Sequence, residues 1–438
     1  METPMSPTNM ENLRLKAREL LYDHRVIVKR NGKTFSFTRP SVRFYYPKHQ
    51  WFWDQCFHTI ANAVLGEVSF AMEEIRSLLF AQRPNGFIPH VVFWDEKETK
   101  RAPWHLAYQE ARGRFSFLPF TKKPETTDLI QPPVIAQAVA KIFEVSHDRA
   151  FLEEVVPKLN RYYDYLLRER DPDRDHLITI ICRFDGGLDW SPAYDPAEGF
   201  ATSPPSALRL FWRGRRTVLI NKLRYNYNLP AILSRGPFHV EDVAVNAILA
   251  LNLDVLANLN EALGDVERAT AYREACDATR DALIAHCYDD RREAFFNLTG
   301  RDERRFPILT IHSLLPLIIP RLPSTIAAAL VERHLTNPEE FALPYPVPSV
   351  AANEPSFRRP IRVGPFYRFT WRDGSWVNMN WFLVHGLRRQ GFTHLADALA
   401  SRTRALVAEK GFYEYFDPIT GQGFGAPDLG WSTLVVDM

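Results

Sequence analysis

The 438-residue chain carries 54 Lys and Arg against 52 Asp and Glu, a formal net charge of +2, with 46% hydrophobic and 24% charged residues. That composition supplies a large core, in two domains or one toroidal one, and argues against a dedicated polyanion binder, so nucleic acid is not an expected partner. Cys56, Cys182, Cys276 and Cys287 are scattered with no CxxC pair, the N-terminal stretch has no apolar core, and no run approaches the roughly 18 apolar residues of a membrane span. The expectation is a cytoplasmic, reduced protein with no zinc site, disulfide framework or membrane partner; a homo-oligomer is compatible with it.

Taken in order, residues 12–24 are amphipathic, with Leu13, Leu15, Ala17, Leu20 and Leu21 among charged residues, and 25–46 read as short strands, an N-terminal β arm. Residues 51–65 are apolar nearly all round, and 68–82 carry a single apolar stripe. The same couplet recurs at 132–145 with 149–168, where Pro157 should kink or restart the second helix, and at 243–263 with 266–286. It returns more faintly at 309–319 with 324–334 and at 377–387 with 394–409; the short apolar run 430–436 comes last, and its partner is the first amphipathic helix. A helix apolar on every side must be buried, and one with a single stripe covers it. Six of each predict an all-α fold, an (α/α)6 toroid formed as one domain over residues 1–438. Two stretches, 96–130 and 196–237, are too long for simple connections and are predicted to be lid loops. The second interleaves Arg209, Arg213, Arg215, Arg216, Lys222 and Arg224 with Phe211, Trp212, Tyr225 and Tyr227.

In such a toroid the inner helices run the same way, so the loops preceding them share one rim. The polar motifs fall there. Trp51-Phe-Trp53-Asp54 opens the first inner helix, Gln131-Pro-Pro the second, and the stretch Phe184-Asp-Gly-Gly-Leu-Asp189-Trp-Ser-Pro precedes the third. Trp371-Arg372-Asp-Gly-Ser-Trp376 opens the fifth, and Gly411-Phe-Tyr-Glu414-Tyr-Phe-Asp417 precedes the sixth. Two glycines and a Trp-Ser-Pro push Asp189 against an aromatic wall, an environment that raises a carboxyl pKa and suits a general acid. Glu414, among Tyr413, Tyr415 and Phe416, is the candidate general base. Aromatic faces accept the C–H patches of a sugar, and Asp54, Gln131 and Arg372 suit its hydroxyls. The candidate sugar-binding residues are Tyr46, Trp51, Trp53, Asp54, His90, Gln131, Trp371, Arg372, Trp376 and Trp431. No HExxH, phosphate loop or GxSxG elbow is present, and neither a metal nor a cofactor is expected.

These residues resemble glycoside hydrolase family 63 and, more distantly, the trehalases. The resemblance spans nearly the whole chain: Trp51 to Asp54, Gln82 with Gly86-Phe-Ile-Pro-His90, Gln131-Pro-Pro, Gly187-Leu-Asp189-Trp-Ser-Pro, Trp371-Arg372 with Trp376 and Asn380-Trp381, and Glu414-Tyr-Phe-Asp-Pro with Gly430-Trp431. The length is similar to that of small bacterial members that act on mannosylglycerate and glucosylglycerate. The resemblance implies an inverting exo-α-glycosidase with its acid at Asp189, its base at Glu414, and Trp53, Asp54, Gln131, Trp371 and Trp376 lining the sugar. The chain departs from the family in having Asp185-Gly186-Gly187 where Glu-Ser-Gly is usual before the acid, and Thr370 and Asp373 in place of the Tyr and Gly of a Tyr-Trp-Arg-Gly run. The expected reaction is hydrolysis of a small α-glucoside or α-mannoside, with helix N-termini and the Arg-rich insert favouring an anionic aglycone such as glycerate. A sugar epimerase, which would need paired histidine bases, and a non-catalytic sugar-binding toroid are the alternatives.

Overall fold

The computed structural model describes residues 6–42, 48–94, 125–200, 205–345, 347–357, 362–363, 367–368 and 371–438. The chain begins with α1 (Pro7–Asp23), the antiparallel pair β1 (Arg25–Arg30) and β2 (Lys33–Thr38), β3 (His49–Trp51), α2 (Phe52–Val64) and α3 (Val68–Phe80). Next come β4 (Val91–Phe93), β5 (Glu125–Thr126), α4 (Ile135–Ser146), α5 (Arg149–Glu169) and β6 (Thr179–Ile180). The middle holds α6 (Ala207–Leu223), α7 (Leu229–Arg235), β7 (Val240–Glu241), α8 (Val243–Leu263) and α9 (Val266–Ala282). Then follow the strand pairs β8 (Tyr288–Asp289) with β9 (Ala294–Phe295) and β10 (Leu298–Thr299) with β11 (Arg304–Arg305). Helices α10 (Ser324–Ala329), α11 (Val377–Arg389) and α12 (Thr393–Lys410) lead to a 3₁₀ segment, Gly430–Asp437.

The segments that are apolar on every side find one another. Helix α2 packs on α4, α4 on α8, α8 on the 3₁₀ segment Leu315–Ile318, that segment on α11, α11 on Gly430–Asp437, and this last on α2 again. The amphipathic helices lie against them: α3 on α2, α5 on α8 and α4, α9 on α8, α12 on α11, and α1 on Gly430–Asp437. Burial of both faces explains why α2 has every side chain from Phe52 to Ala63 inside. Helix α8 is long and apolar enough to cross a membrane by composition, yet 83% of its most apolar window is buried in this ring.

The structure changes three of the expected elements. The run 309–319 is two 3₁₀ turns, Ile311–Ser313 and Leu315–Ile318, rather than an α-helix. Pro316 has no N–H to give a helix, and Gly386 of α11 comes so close that a Cβ there would sit 3.0 Å from the Leu317 carbonyl carbon. Pro157 does not restart α5, which runs unbroken through it with the proline on its exposed face. Residues 196–237 are not a loop: they contain a 3₁₀ turn, α6 and α7. The other expected lid, 96–130, falls outside the described residues up to Pro124 and afterwards contributes β5 to a sheet in the order β3-β4-β5.

The segment that links α3 to β4 is pinned to α5, because Gln82 Nε2 donates to the Gly86 carbonyl at 3.0 Å and to the Lys158 carbonyl at 2.8 Å. Gly86 has φ 100°, and a Cβ on it would collide with the Arg161 carbonyl oxygen. Substitution Gly86→Ala is therefore expected to cost about 2–4 kcal/mol, measured by urea unfolding monitored by circular dichroism.

Candidate active site

Asp189 sits on a loop held from beneath by buried charges. The sequence Ile180-Ile-Cys-Arg183-Phe-Asp185 places two charged residues in an apolar run, and each is paired inside the protein. Asp185 accepts from the Ile130 and Ile181 amides, each at 2.9 Å, and forms a fully buried ion pair with Arg170 at 2.9 Å. The Arg183 guanidinium grips Glu198 with Nε at 3.0 Å and a second nitrogen at 2.5 Å, lies 5.0 Å from the Trp190 ring, and donates its remaining arm to the Asp189 carbonyl at 2.9 Å. The backbone of Asp189 is thus fixed while its side chain stays only half-buried. Where the family usually carries Glu-Ser-Gly, Asp185-Gly186-Gly187 supplies this support: Asp185 through hydrogen bonds, Gly187 by admitting Trp53, whose ring would be 2.8 Å from any Cβ there.

Glu414 lies in the turn between α12 and the final 3₁₀ segment. Its Oε2 accepts from the Ala426 amide at 2.8 Å, and its carbonyl accepts from the Trp431 indole N–H at 3.1 Å. Gly425, at φ 74°, leaves room for the carboxylate, since a Cβ would run into Oε2. Glu414 too is half-buried.

Four of the predicted tryptophans form one wall. Trp371 and Trp376 stack at 3.6 Å, Trp376 meets Trp431 at 5.6 Å and Tyr415 at 4.8 Å, and Trp53 reaches Trp371 at 6.2 Å and Trp431 at 6.1 Å. Trp371 holds a left-handed backbone, φ 64°, an uncommon conformation for a bulky residue and one that clusters at functional sites. Trp53 touches the Asp189 loop at Gly187, and Trp431 touches Glu414, so the wall joins the two acidic loops. Between them lies Asp54, in the first turn of α2 and 6% exposed. Burial first, and then the charges of Glu414 and Asp189, raise its carboxyl to about 8.

The other expected sugar contacts are placed differently. Trp51 packs with Val91 and Phe93 in a separate apolar cluster on the β3-β4 sheet, and buried His90 stands edge-on to it at 5.5 Å, with burial lowering that imidazole to about 3. These two support the sheet, apart from the tryptophan wall. Gln131 is buried and accepts the Trp53 amide at 3.0 Å, capping α2 from outside. Arg372, expected to meet a sugar hydroxyl, is buried and donates to Asp195 at 2.6 Å, within 3.9 Å of which Arg183 also lies. Tyr46 falls outside the described residues. Sequence reasoning passed over Arg183, Asp185, Asp195 and Glu198; the signal was available, since a charge inside an apolar run must be paired.

The model of the mannosylglycerate hydrolase MGH1-like glycoside hydrolase domain matches residues 46–432. The chain belongs to that family. It is 28% identical to a mannosylglycerate hydrolase of Rubrobacter radiotolerans, with 96% of each chain covered, and 26% identical to a glucosylglycerate hydrolase of Mycolicibacterium hassiacum, over 89% of this chain and 91% of that one. A crystal structure of the glycoside hydrolase family 63 mannosylglycerate hydrolase of Thermus thermophilus, in complex with Tris and D-glycerate, superposes with a TM-score of 0.79 at 27% identity, covering 97% of this chain and 99% of that one. The chain is therefore a helix-rich family 63 glycoside hydrolase.

Because the folded protein keeps the Asp54 proton that an unfolded chain gives up near its ordinary value of 3.8, this group's contribution to stability is full below that value and is lost as pH rises toward about 8. Asp54→Asn stays neutral throughout. Its melting temperature is expected to fall less than that of the wild type between about pH 5 and pH 8, as followed by thermal melts; parallel profiles would count against a proton on Asp54.

Proposed function

We propose that this chain is an inverting, exo-acting α-glycosidase that hydrolyses a small α-mannoside or α-glucoside of glycerate, with residues 1–438 forming one (α/α)6 catalytic domain. The observation that carries the reading is the Asp54 carboxyl, which feels the charges of both Asp189 and Glu414 at the foot of a tryptophan wall. Two carboxyl groups flanking one aromatic-walled space are the equipment of glycoside hydrolysis.

In the proposed reaction Glu414 takes a proton from a water as its oxygen attacks the anomeric carbon. The bond from that carbon to the glycosidic oxygen breaks, and Asp189 delivers its proton to the departing oxygen. The Ala426 amide anchors the Glu414 carboxylate, and the Arg183 hydrogen bond fixes where Asp189 begins. A neutral Asp54 donates a hydrogen bond to a sugar hydroxyl while adding no further negative charge beside Glu414. The reaction needs no cofactor.

Glycerate as aglycone is supported by the mannosylglycerate and glucosylglycerate hydrolases among the relatives. The exposed guanidinium groups of Arg213 and Arg216 on α6 suit an anionic substrate by long-range attraction. A reducing, cytoplasmic setting agrees with four buried, unpaired cysteines.

Asp189→Asn and Glu414→Gln should each lower kcat on mannosylglycerate and glucosylglycerate by at least about 1,000-fold, with an unchanged circular dichroism spectrum. Wild-type protein that binds either glycoside without releasing sugar would instead favour a non-catalytic sugar-binding toroid.

A further inference from the structure

Away from the tryptophan wall, the loop leaving α5 places Asp171, Asp173 and Asp175 at alternate positions. Strand β7 brings Glu241 to this loop, and the turn between β10 and β11 brings Glu303. Carboxylate oxygens of Asp171, Asp173 and Asp175 lie within 4.8 Å of one another, as do those of Asp173, Glu241 and Glu303. We propose that these five acids bind a divalent cation of the calcium type.

Buried oxygens left without donors are what distinguish this cluster from an ordinary acidic surface. Asp171 spends Oδ2 on the His176 amide at 3.1 Å, and Asp175 spends Oδ1 on the Leu177 amide at 2.8 Å. Their other oxygens, Asp171 Oδ1 and Asp175 Oδ2, are buried with no hydrogen-bond partner, and so are both oxygens of Glu241, a residue only 1% exposed. Glu241 cannot swing away, because its backbone is paired on one side with Thr179 of β6 and on the other with Leu298 of β10. A buried carboxylate with neither donor nor counter-charge is rare in native proteins and calls for an ion. Without one, burial and then Asp175, Asp173, Glu303 and Asp171 push the Glu241 carboxyl up to about 9. His286 and His176 act on Asp175, and Asp173 acts on His239.

The donors define the ion. They are all carboxylate oxygens, with neither thiolate nor imidazole among them, which suits a hard cation. Carboxylates drawn from three separate segments, with Asp173 common to both triads, match the irregular, oxygen-rich coordination of calcium better than the octahedral, largely hydrated shell of magnesium. Asp-Pro-Asp-Arg-Asp-His reproduces the first, third and fifth ligand positions of an EF-hand loop, and its sixth residue, His176, has the left-handed backbone (φ 75°) that such loops need there. Exposed Asp173 gives the ion a way in. A bound cation would tie this loop to β7. From the loop the chain runs through β6 to Arg183 and Asp189; from β7 it runs to Asp242, whose Oδ1 caps α8 by accepting the Val245 amide at 2.8 Å.

The test starts from protein stripped with EGTA and titrated with calcium chloride by calorimetry, with magnesium chloride in parallel and thermal melts at saturation. One calcium per chain, binding at least about 10-fold tighter than magnesium and raising the melting temperature by about 3 °C or more at 100 times Kd, is the expected result. Glu241→Gln puts a neutral side chain of the same shape where the metal-free protein holds its carboxyl neutral, so its metal-free melting temperature should equal or exceed that of the wild type while its calcium affinity falls at least about 10-fold. Should that variant fail to fold, Asp173→Asn, at an exposed position, carries the same affinity test. No calcium heat and no thermal shift in the wild type, equal affinity for magnesium, or undiminished calcium affinity in both variants would overturn the proposal.

Discussion

Three carboxyl groups organise this molecule, and two of them, Asp189 and Glu414, act on the third, Asp54. Asp54 in the first turn of α2, Asp189 on a loop ahead of α8 and Glu414 on the turn after α12 come from the beginning, middle and end of the chain. Burial first, and then the charges of Glu414 and Asp189, push the Asp54 carboxyl up, while Asp189 and Glu414 themselves remain half-buried. The inner ring makes the meeting possible, because it returns the last apolar segment to the first and so sets Trp431 and Glu414 beside Trp53.

Keeping acids in place takes buried counter-charges. Arg170 with Asp185, Arg183 with Glu198, and Arg372 with Asp195 are almost wholly inside the protein. Such pairs add little net stability compared with apolar packing, but removing one partner strands the other and is strongly destabilising. Here they also do a positional job: Arg183 holds the Asp189 carbonyl, and Arg372, next to Trp371, ties the fifth inner segment to Asp195 on the same loop region. Gln131 and Arg372 each bind another element of the chain, the Trp53 amide and Asp195 respectively.

Much of the helical ring was legible in the sequence because burial on all sides and burial on one stripe leave different periodicities. Val243 to Leu263 and Val377 to Leu387 declare themselves inner helices in this way. The run 309–319 is just as apolar, yet Pro316 and the close approach of Gly386 make it 3₁₀; hydropathy reports burial, not the hydrogen-bond pattern. Helix α6 was hidden for the opposite reason. Its inward residues, Leu210, Gly214, Val218 and Asn221, follow a helical period, but exposed Trp212 and Leu223 mask the stripe, and Gly214 is buried only because it fits against Arg183 and Trp190. At the candidate site, the structure brings together Trp53, Asp54, Trp371, Trp376 and Trp431, which the sequence singles out as aromatic and acidic residues at the starts of apolar segments. Trp51, in β3, lies one residue before the first turn of α2 and packs with Val91, Phe93 and His90.

At the centre of the proposed chemistry, Asp189 and Glu414 work from opposite faces of the sugar with a water between them. Proton NMR of the first-formed sugar, recorded during hydrolysis of an α-linked glycosylglycerate and before mutarotation, tests this most directly. The β-anomer is the predicted product; an α-anomer would mean retention, a covalent or same-face route, and would contradict the roles given to both acids.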